Sequence, residues 1–266
     1  MNNTDHIKAK VILHSENFHT EVPIYTLELE YPRYIHAEFM THRVFSRNAQ
    51  SSRAIPVEKA IELVASNNWY PIFMENQKGM AASIPLEGKE LLEAKIWWNR
   101  AKDMAIYYAK ILAGRGVHKQ IVNRILEPYS LIRVIITATD FDNFFKLRLA
   151  KDAQQEIQIL AQKMKDAIDL SEPQYLSYKS WHLPYIFEDE HELNIETKLK
   201  LSAARCARVS YLSHDGKRDL QKDIDLHDQL LSSKHMSPFE HQACAFSEDN
   251  YFKNFRSFGQ YRKMVE

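Results

Sequence analysis

The chain has 266 residues, 45% hydrophobic and 26% charged, with 35 basic residues balanced by 35 acidic ones. That length and apolar content support a sizeable globular core. Zero net charge removes any global field that would draw the chain to nucleic acid or an anionic membrane, so anion recognition has to be local.

Residues 10–30 read as two strands around a polar turn, because apolar, β-branched and aromatic residues alternate with polar ones. The stretch 40–53, MTHRVFSRNAQSSR, then packs one histidine, three arginines and three serines together without an acid. Pro56 is placed to open a helix through VEKAIELVASNNW, and Pro85 a longer one through KELLEAKIWWNRAKDMAIYYAKILAGRG, whose glycines suit a C-cap. A short helix is expected over 117–127, stopping before Pro128, and LIRVIITAT (131–139) has the β-branched density of a strand. DFDNFFKLRLAKDAQQEIQILAQKMKDAI reads as one helix, N-capped by Asp140 or Asp142, with three–four apolar spacing through Ile168. Residues 171–196, with Pro173 and Pro184, read as an irregular connection. A helical region over 197–233 is expected to break near SHDGKRD, and SPFEHQACAF with the tail to Glu266 returns to strand or loop.

No repeat or clean linker divides the chain, so a single helix-rich α+β domain over 1–266, with an antiparallel or mixed sheet, is expected. The opening MNNTDHIKAK lacks the apolar core of a secretory signal, and no apolar run of about eighteen residues is present to span a bilayer. Cys206 and Cys244 lie far apart without metal-ligand spacing, which fits a reducing cytoplasm and no disulfide framework. With neither G-x-G-x-x-G nor a P-loop, any nucleotide is held without those cradles.

Four polar clusters remain. In MTHRVFSRNAQSSR, Arg43, Arg47 and Arg53 can present planar forks to phosphate or carboxylate, and Ser, Asn and Gln add fixed hydrogen-bond geometry. NRILEP places Arg124 near a helix end, where interaction with the helix dipole is the plainer account. In NFFKLRLAKDAQQEI, Arg148 precedes Asp152 by four residues, which allows an intrahelical ion pair. KHMSPFEH holds His235, Ser237, Glu240 and His241 without an H-E-x-x-H pattern, so no metal is expected there. Singly, each cluster is compatible with a solvated surface.

Together, THRVFSRNAQSSR resembles the R-H-R-x-x-S-x-N-x-x-S-x-R signature of flavin-dependent thymidylate synthases, matching at His42, Arg43, Ser46, Asn48, Ser51 and Arg53. NRILEP is similar to the family's R-x-x-L-P region. NFFKLRLAKDAQQEI is similar to its N-F-x-x-L-R-x-x-x-x-A-Q-x-E-I helix, and AARCARVSY with KHMSPFEHQACAF to its A-A-R-x-S-Y and S-P-F-E-H block. That block normally precedes the R-H-R signature; here it follows near the C-terminus, so the chain resembles a circularly permuted member. Thr41 stands for the first arginine of R-H-R, Ala49 for an acid, Glu38 for a glutamine, and TAT (137–139) for an N-x-R flavin contact.

The resemblance implies reductive methylation of dUMP, with methylenetetrahydrofolate as carbon donor, reduced FAD as hydride source and NADPH as reductant of the flavin. It assigns Glu38, Ser51, Ser52, Arg53, Arg124 and Arg148 to the nucleotide, with Ser51 and Arg148 catalytic. It assigns His42, Arg43, Asn143, Gln154, Ser237, His235 and Glu240 to the flavin. It further implies a homotetramer with active sites shared between subunits, small-molecule rather than nucleic-acid or membrane partners, and a cytoplasmic enzyme. A flavin- and folate-dependent pyrimidine nucleotide hydroxymethylase and a non-catalytic flavin- or nucleotide-binding homologue remain as alternatives.

Overall fold

The computed structural model describes residues 4–79, 81–209 and 218–266. In chain order it contains β1 (Lys8–Asn17), β2 (Pro23–Pro32), α1 (His36–Phe39), β3 (Ser46–Ala49), α2 (Val57–Ser66), α3 (Gly88–Gly114), α4 (Lys119–Leu126) and β4 (Leu131–Ala138). There follow α5 (Asp142–Arg148), α6 (Gln155–Asp169), β5 (Gln174–Leu176), β6 (Trp181–His182), α7 (Ile195–Arg208) and α8 (Leu220–Ser232). The C-terminal part adds β7 (Ala243–Ala245), β8 (Tyr251–Phe252), β9 (Phe255–Arg256), β10 (Phe258–Gln260) and α9 (Arg262–Val265).

The main sheet has the order β3-β4-β2-β1-β5. It is antiparallel except at β5, which runs parallel to β1. Strand alternation sorts its side chains onto two faces. Leu27, Leu29 and Tyr31 of β2 join Ile132, Val134 and Ile136 of β4 and pack against Phe144 of α5 and Ile157, Leu160 and Met164 of α6. The opposite face carries Thr26, Glu28, Thr137 and Ile135, and is covered by the C-terminal half: Ile135 packs on Cys206 and Val209 of α7 and its exit. A second sheet, β10-β7-β6, lies in that half, and a third cluster joins α7 and α8 to Phe239 and Tyr261.

A buried hydrogen-bonded chain ties the two halves. Ser15 Oγ lies 2.8 Å from His182 Nδ1, and Thr26 Oγ1 lies 2.8 Å from His182 Nε2 and 2.7 Å from Thr137 Oγ1. Thr137 Oγ1 continues to His241 Nδ1 at 2.9 Å. Burial pushes His182 and His241 down to about 3 from the ordinary imidazole value, so both are neutral.

Most elements form where the sequence places them, and the exceptions have local causes. The helix expected from 140 to 168 is two helices, α5 and α6, separated at 149–154. Gln158 Nε2 donates to the carbonyls of Ala150 (2.7 Å) and Ala153 (2.8 Å), satisfying acceptors that the interruption frees. Neither Asp140 nor Asp142 is the N-cap of α5; Phe141 occupies that position, while Asp140 Oδ1 accepts the Asp142 N–H at 2.9 Å. Pro56 caps α2 rather than opening it, its carbonyl accepting from Ala60. The connection 171–196 contains β5 and β6, which carry the chain from the first sheet to the second. α7 and α8 flank the expected helix break, most of which lies outside the described residues. The glycine end of α3 forms as expected: Gly116 sits at φ 79°, and the amides of Gly116 and Val117 return to the carbonyls of Ala113 and Leu112. Among the described residues no helix is long and apolar enough to cross a membrane.

Candidate active site

β3 projects from the motif loop onto β4, and its register decides which motif residues meet which layer. Ser46 pairs with Thr137 and Asn48 with Ile135, so both face the C-terminal half. Ser46 Oγ accepts from Gln260 Nε2 at 2.6 Å. Asn48 Nδ2 donates to the Cys206 carbonyl at 3.0 Å, and Ser237 Oγ donates to Asn48 Oδ1 at 3.2 Å. Ala49 turns the other way and packs against the main core. Segments 189 residues apart in sequence are therefore joined at Asn48 and Ser237.

On the other side of the loop, the last residue of α5 enters. Arg148 pairs with the Glu38 carboxylate, donates from Nε to His42 Nε2 at 2.7 Å, and donates from Nη2 to Thr41 Oγ1 at 3.2 Å. The Thr41 hydroxyl is fixed by donating to the Glu38 carbonyl at 2.7 Å. His42 is buried, stands edge-on to Phe144 with ring centroids 4.8 Å apart, and is held by Arg47, whose Nη1 donates to the His42 carbonyl at 2.9 Å. Burial first, then the positive charges of Arg148 and Arg47, lower His42 to about 4. The imidazole is thus neutral, and since Nε2 accepts from Arg148, its proton is assigned to Nδ1. The intrahelical Arg148–Asp152 pair open to the sequence does not form among the described residues; Arg148 turns to Glu38 across 110 positions of sequence.

A third group is built on a 3-10 turn at Ser52–Ala54, where the Ala54 amide donates to the Ser51 carbonyl. Asn123 of α4 fastens this turn, its Nδ2 donating to the carbonyls of Ser52 (2.8 Å) and Ile55 (2.9 Å). Ser52 is buried beneath the turn and Arg53 is exposed on it. Arg124, one residue on from Asn123, is exposed and pairs with Glu127 at 3.1 Å.

The structure brings Glu38, His42 and Arg148 into one cluster, seats Ser237 on Asn48, and places Arg124 on the helix that clamps Ser52. It separates others: Asn143 is exposed on α5, Arg43 is exposed on the loop, and Gln154 Nε2 is spent on Glu156 at 2.9 Å. His235 is exposed, and Glu240 turns to Arg262 at 2.5 Å rather than towards Ser237. Sequence reasoning passed over Thr41, Arg47 and Asn123 as positioning groups. Asn123 stands beside Arg124 in NRILEP, but only its contact with Ser52 reveals its use.

Neither cysteine is poised as a nucleophile. Cys206 is fully buried, and burial raises its thiol far above the usual range; Cys244 is raised for the same reason.

Residues 3–174 match the family described as thymidylate synthase complementing protein. No curated protein matches the chain. Among solved structures, the chain is similar to a UMP/dUMP methylase, PolB, from Streptomyces cacaoi. The form bound with 5-Br dUMP matches at 14% identity and TM-score 0.50, covering 61% of this chain and 89% of that one. The form bound with 5-Br UMP matches at 15% identity and TM-score 0.49, covering 61% and 88%.

Proposed function

Because the chain belongs to the thymidylate synthase complementing protein family, which places it among thymidylate synthase-like methyltransferases, we propose that it methylates dUMP at C5 with methylenetetrahydrofolate, FAD and NADPH. The observation that carries this reading is the Arg148 cluster: a guanidinium held at a fixed angle by an acid, a threonine and a neutral imidazole, beside a motif rich in exposed donors.

The donor set suits a flavin and a nucleotide. Arg43 and Arg53 are exposed, and neither forms an ion pair with a carboxylate among the described residues, so each is available to a phosphate oxygen. We assign His42 and Ser237 to the flavin, with exposed Arg43 beside them; Asn143, Gln154, His235 and Glu240 are turned elsewhere and stay outside that group. Bound flavin would supply the hydride.

The protein's own part is positioning and electrostatics. Ser51 and Arg53, on the turn fastened by Asn123, hold the nucleotide phosphate together with Arg124, while buried Ser52 anchors the turn through its carbonyl. Arg148 donates to the uracil edge where negative charge develops when C5 is activated, in a site where it is already oriented and needs no rearrangement at the moment of reaction. Glu38 sets that orientation together with His42 and Thr41. His42, neutral throughout the physiological range, adds no competing charge beside Arg148. With both thiols raised and Cys206 buried, activation of the ring proceeds without an enzymic thiolate.

The order of motifs is read as a circular permutation, supported by the Ser237–Asn48 contact that rejoins the displaced block to the loop. We read the active form as a homotetramer with shared sites in the cytoplasm and the chain as one domain. In support, α3 exposes Leu92, Ile96, Trp97, Met104, Tyr107 and Tyr108 along one side, opposite the side where Ala105 and Ala109 are buried.

The test is incubation with dUMP, methylenetetrahydrofolate, NADPH and FAD, with the product mass measured. A methyl gain is expected. A hydroxymethyl gain would replace the proposed product by the sister reaction, and protein that takes up no flavin would leave only a nucleotide-binding homologue.

A further inference from the structure

An open cleft of about 600 Å³ lies at the β5 edge of the main sheet, bounded by β1 and β5 and by β6 with the start of α7. None of the residues assigned above to the nucleotide or the flavin lines it. Leu13 and Leu176 from the sheet, with Trp181 and Leu183 from the second layer, make its apolar surface. Trp181 is half-buried and stands edge-on to Tyr261 with ring centroids 6.1 Å apart, which fixes the indole.

Two lysines reach the cleft from different elements. Lys179 sits in the turn between β5 and β6 at φ 67°, a left-handed conformation that a lysine adopts only under constraint. The constraint is β7: the Lys179 amide donates to the Ala245 carbonyl and the Ala245 amide to the Ser180 carbonyl, each at 2.9 Å. Lys198, in α7, donates from Nζ to the His191 carbonyl at 3.1 Å, which uses one of its three N–H groups. Neither lysine forms an ion pair among the described residues; Lys179 Nζ overlies the Tyr178 ring at 5.1 Å, which attracts the cation without neutralising it. No acidic side chain lines the cleft. Glu190 is bound to Arg205 at 2.6 Å and Glu196 to Lys200 at 3.9 Å. The dipole of α7 adds partial positive charge at the same end.

We propose that this cleft binds an aromatic phosphate monoester, its phosphate taken by Lys179 and Lys198 and its ring by Trp181 and Leu176. Two uncompensated ammonium groups and a helix N-terminus match a dianion better than a single carboxylate charge. The volume suits a ligand of mononucleotide size. The inference rests on the cleft alone and not on the proposed reaction.

The probe is 1-naphthyl phosphate, titrated by calorimetry into the full chain without flavin or nucleotide. Saturable binding with a Kd on the order of 0.5 mM is expected, the range a ligand of that size reaches. Three analogues each lack one feature: 1-naphthol the charge, inorganic phosphate the ring and 1-naphthoate the second negative charge. The first two should bind at least about tenfold more weakly and 1-naphthoate at least about threefold. The Kd should be unchanged in the Arg53→Gln, Arg124→Gln variant, which disables the proposed nucleotide phosphate site. In that background the further pair Lys179→Gln, Lys198→Gln should weaken binding at least about tenfold. So should Ile195→Glu, which places an acid in the cleft at a helix position whose dipole favours one, so that the fold is kept. No saturable binding, equal binding of any analogue, loss of binding in the arginine variant, or binding retained in the lysine or Ile195→Glu variant would each overturn the proposal. Failure of the synthase reaction would leave these results untouched.

Discussion

Replacing Arg148 by methionine keeps the stem that packs at the end of α5 and deletes the fork. Three interactions are lost: the ion pair with Glu38, the 2.7 Å bond to His42 and the 3.2 Å bond to Thr41. A hydrogen bond to a charged partner contributes about 1.5–3 kcal/mol and a neutral one about 1 kcal/mol. The Arg148 and Glu38 side chains are 16% and 30% exposed, so water re-solvates part of what is left. The net cost to stability should therefore be about 2–3 kcal/mol, or roughly 4–5 °C in Tm for a chain of this size. The effect on turnover should be larger. Removing one oriented donor from a developing anion costs roughly a factor of 10²–10³ in kcat. Arg148→Lys, which keeps the charge but not the fork, should fall between the two. The assay is steady-state methylation of dUMP beside thermal unfolding of the same preparations. If Arg148→Met keeps kcat within about threefold of the parent while its Tm falls as calculated, the arginine is a structural clamp, and its assignment to ring activation is wrong.

Three other outcomes follow from the same structure. His182 and His241 are fully buried and held near 3, below the ordinary imidazole value of about 6.5, so on acidification the unfolded chain takes up these protons first. Their contribution is whole above about pH 7 and lost below about pH 6.5, at up to about 2.7 kcal/mol per pH unit for the pair; equal urea midpoints at pH 7 and pH 5 would contradict it. Arg205 is 4% exposed, doubly bonded to Glu190 at 2.6 Å and bonded to Asp223 at 2.9 Å. Arg205→Met should cost about 3–5 kcal/mol by stranding the buried Glu190 carboxylate, while Asp223 keeps Arg208 at 2.7 Å, and a change under about 1 kcal/mol in chemical denaturation would show that water reaches Glu190. On the exposed side of α3, the double substitution Trp97→Asp and Tyr107→Asp should reduce the light-scattering mass towards the 31.2 kDa chain with helical content unchanged, whereas an unaltered mass would place the subunit interface elsewhere.

The alternation from Lys8 to Pro32 and the β-branched run at 131–138 specify three central strands without help, because a strand with one buried face must write its period into the residues. Helices α2, α3 and α4 were legible from their apolar spacing, but Pro56 only caps α2, and α3 opens at Gly88 behind Glu87 rather than at Pro85, because a proline fixes its own φ without supplying the first helical turn. The short strands were legible less well: β5 and β6 lay in a stretch read as irregular, and β7 to β10 only as strand or loop, because two- and three-residue segments carry no measurable period and form only where a neighbouring edge supplies their hydrogen bonds. The break between α5 and α6 escaped the apolar spacing because that spacing runs through it, and Gln158, which satisfies the freed carbonyls, looks in sequence like one more surface glutamine.

The sequence by itself settled which residue types gather in the motifs, and through them the family. It could not settle partners. Arg148 and Asp152 are four apart and opposite in charge, yet the guanidinium faces Glu38, because ending α5 at Arg148 turns its side chain back towards the motif loop. Asn48 and Ser237 meet only because β3 pairs with β4 in the register that points Asn48 at the C-terminal layer. Local residue types are dictated by local chemistry. Which of them touch depends on strand register and helix ends, and those are fixed by burial of the whole chain.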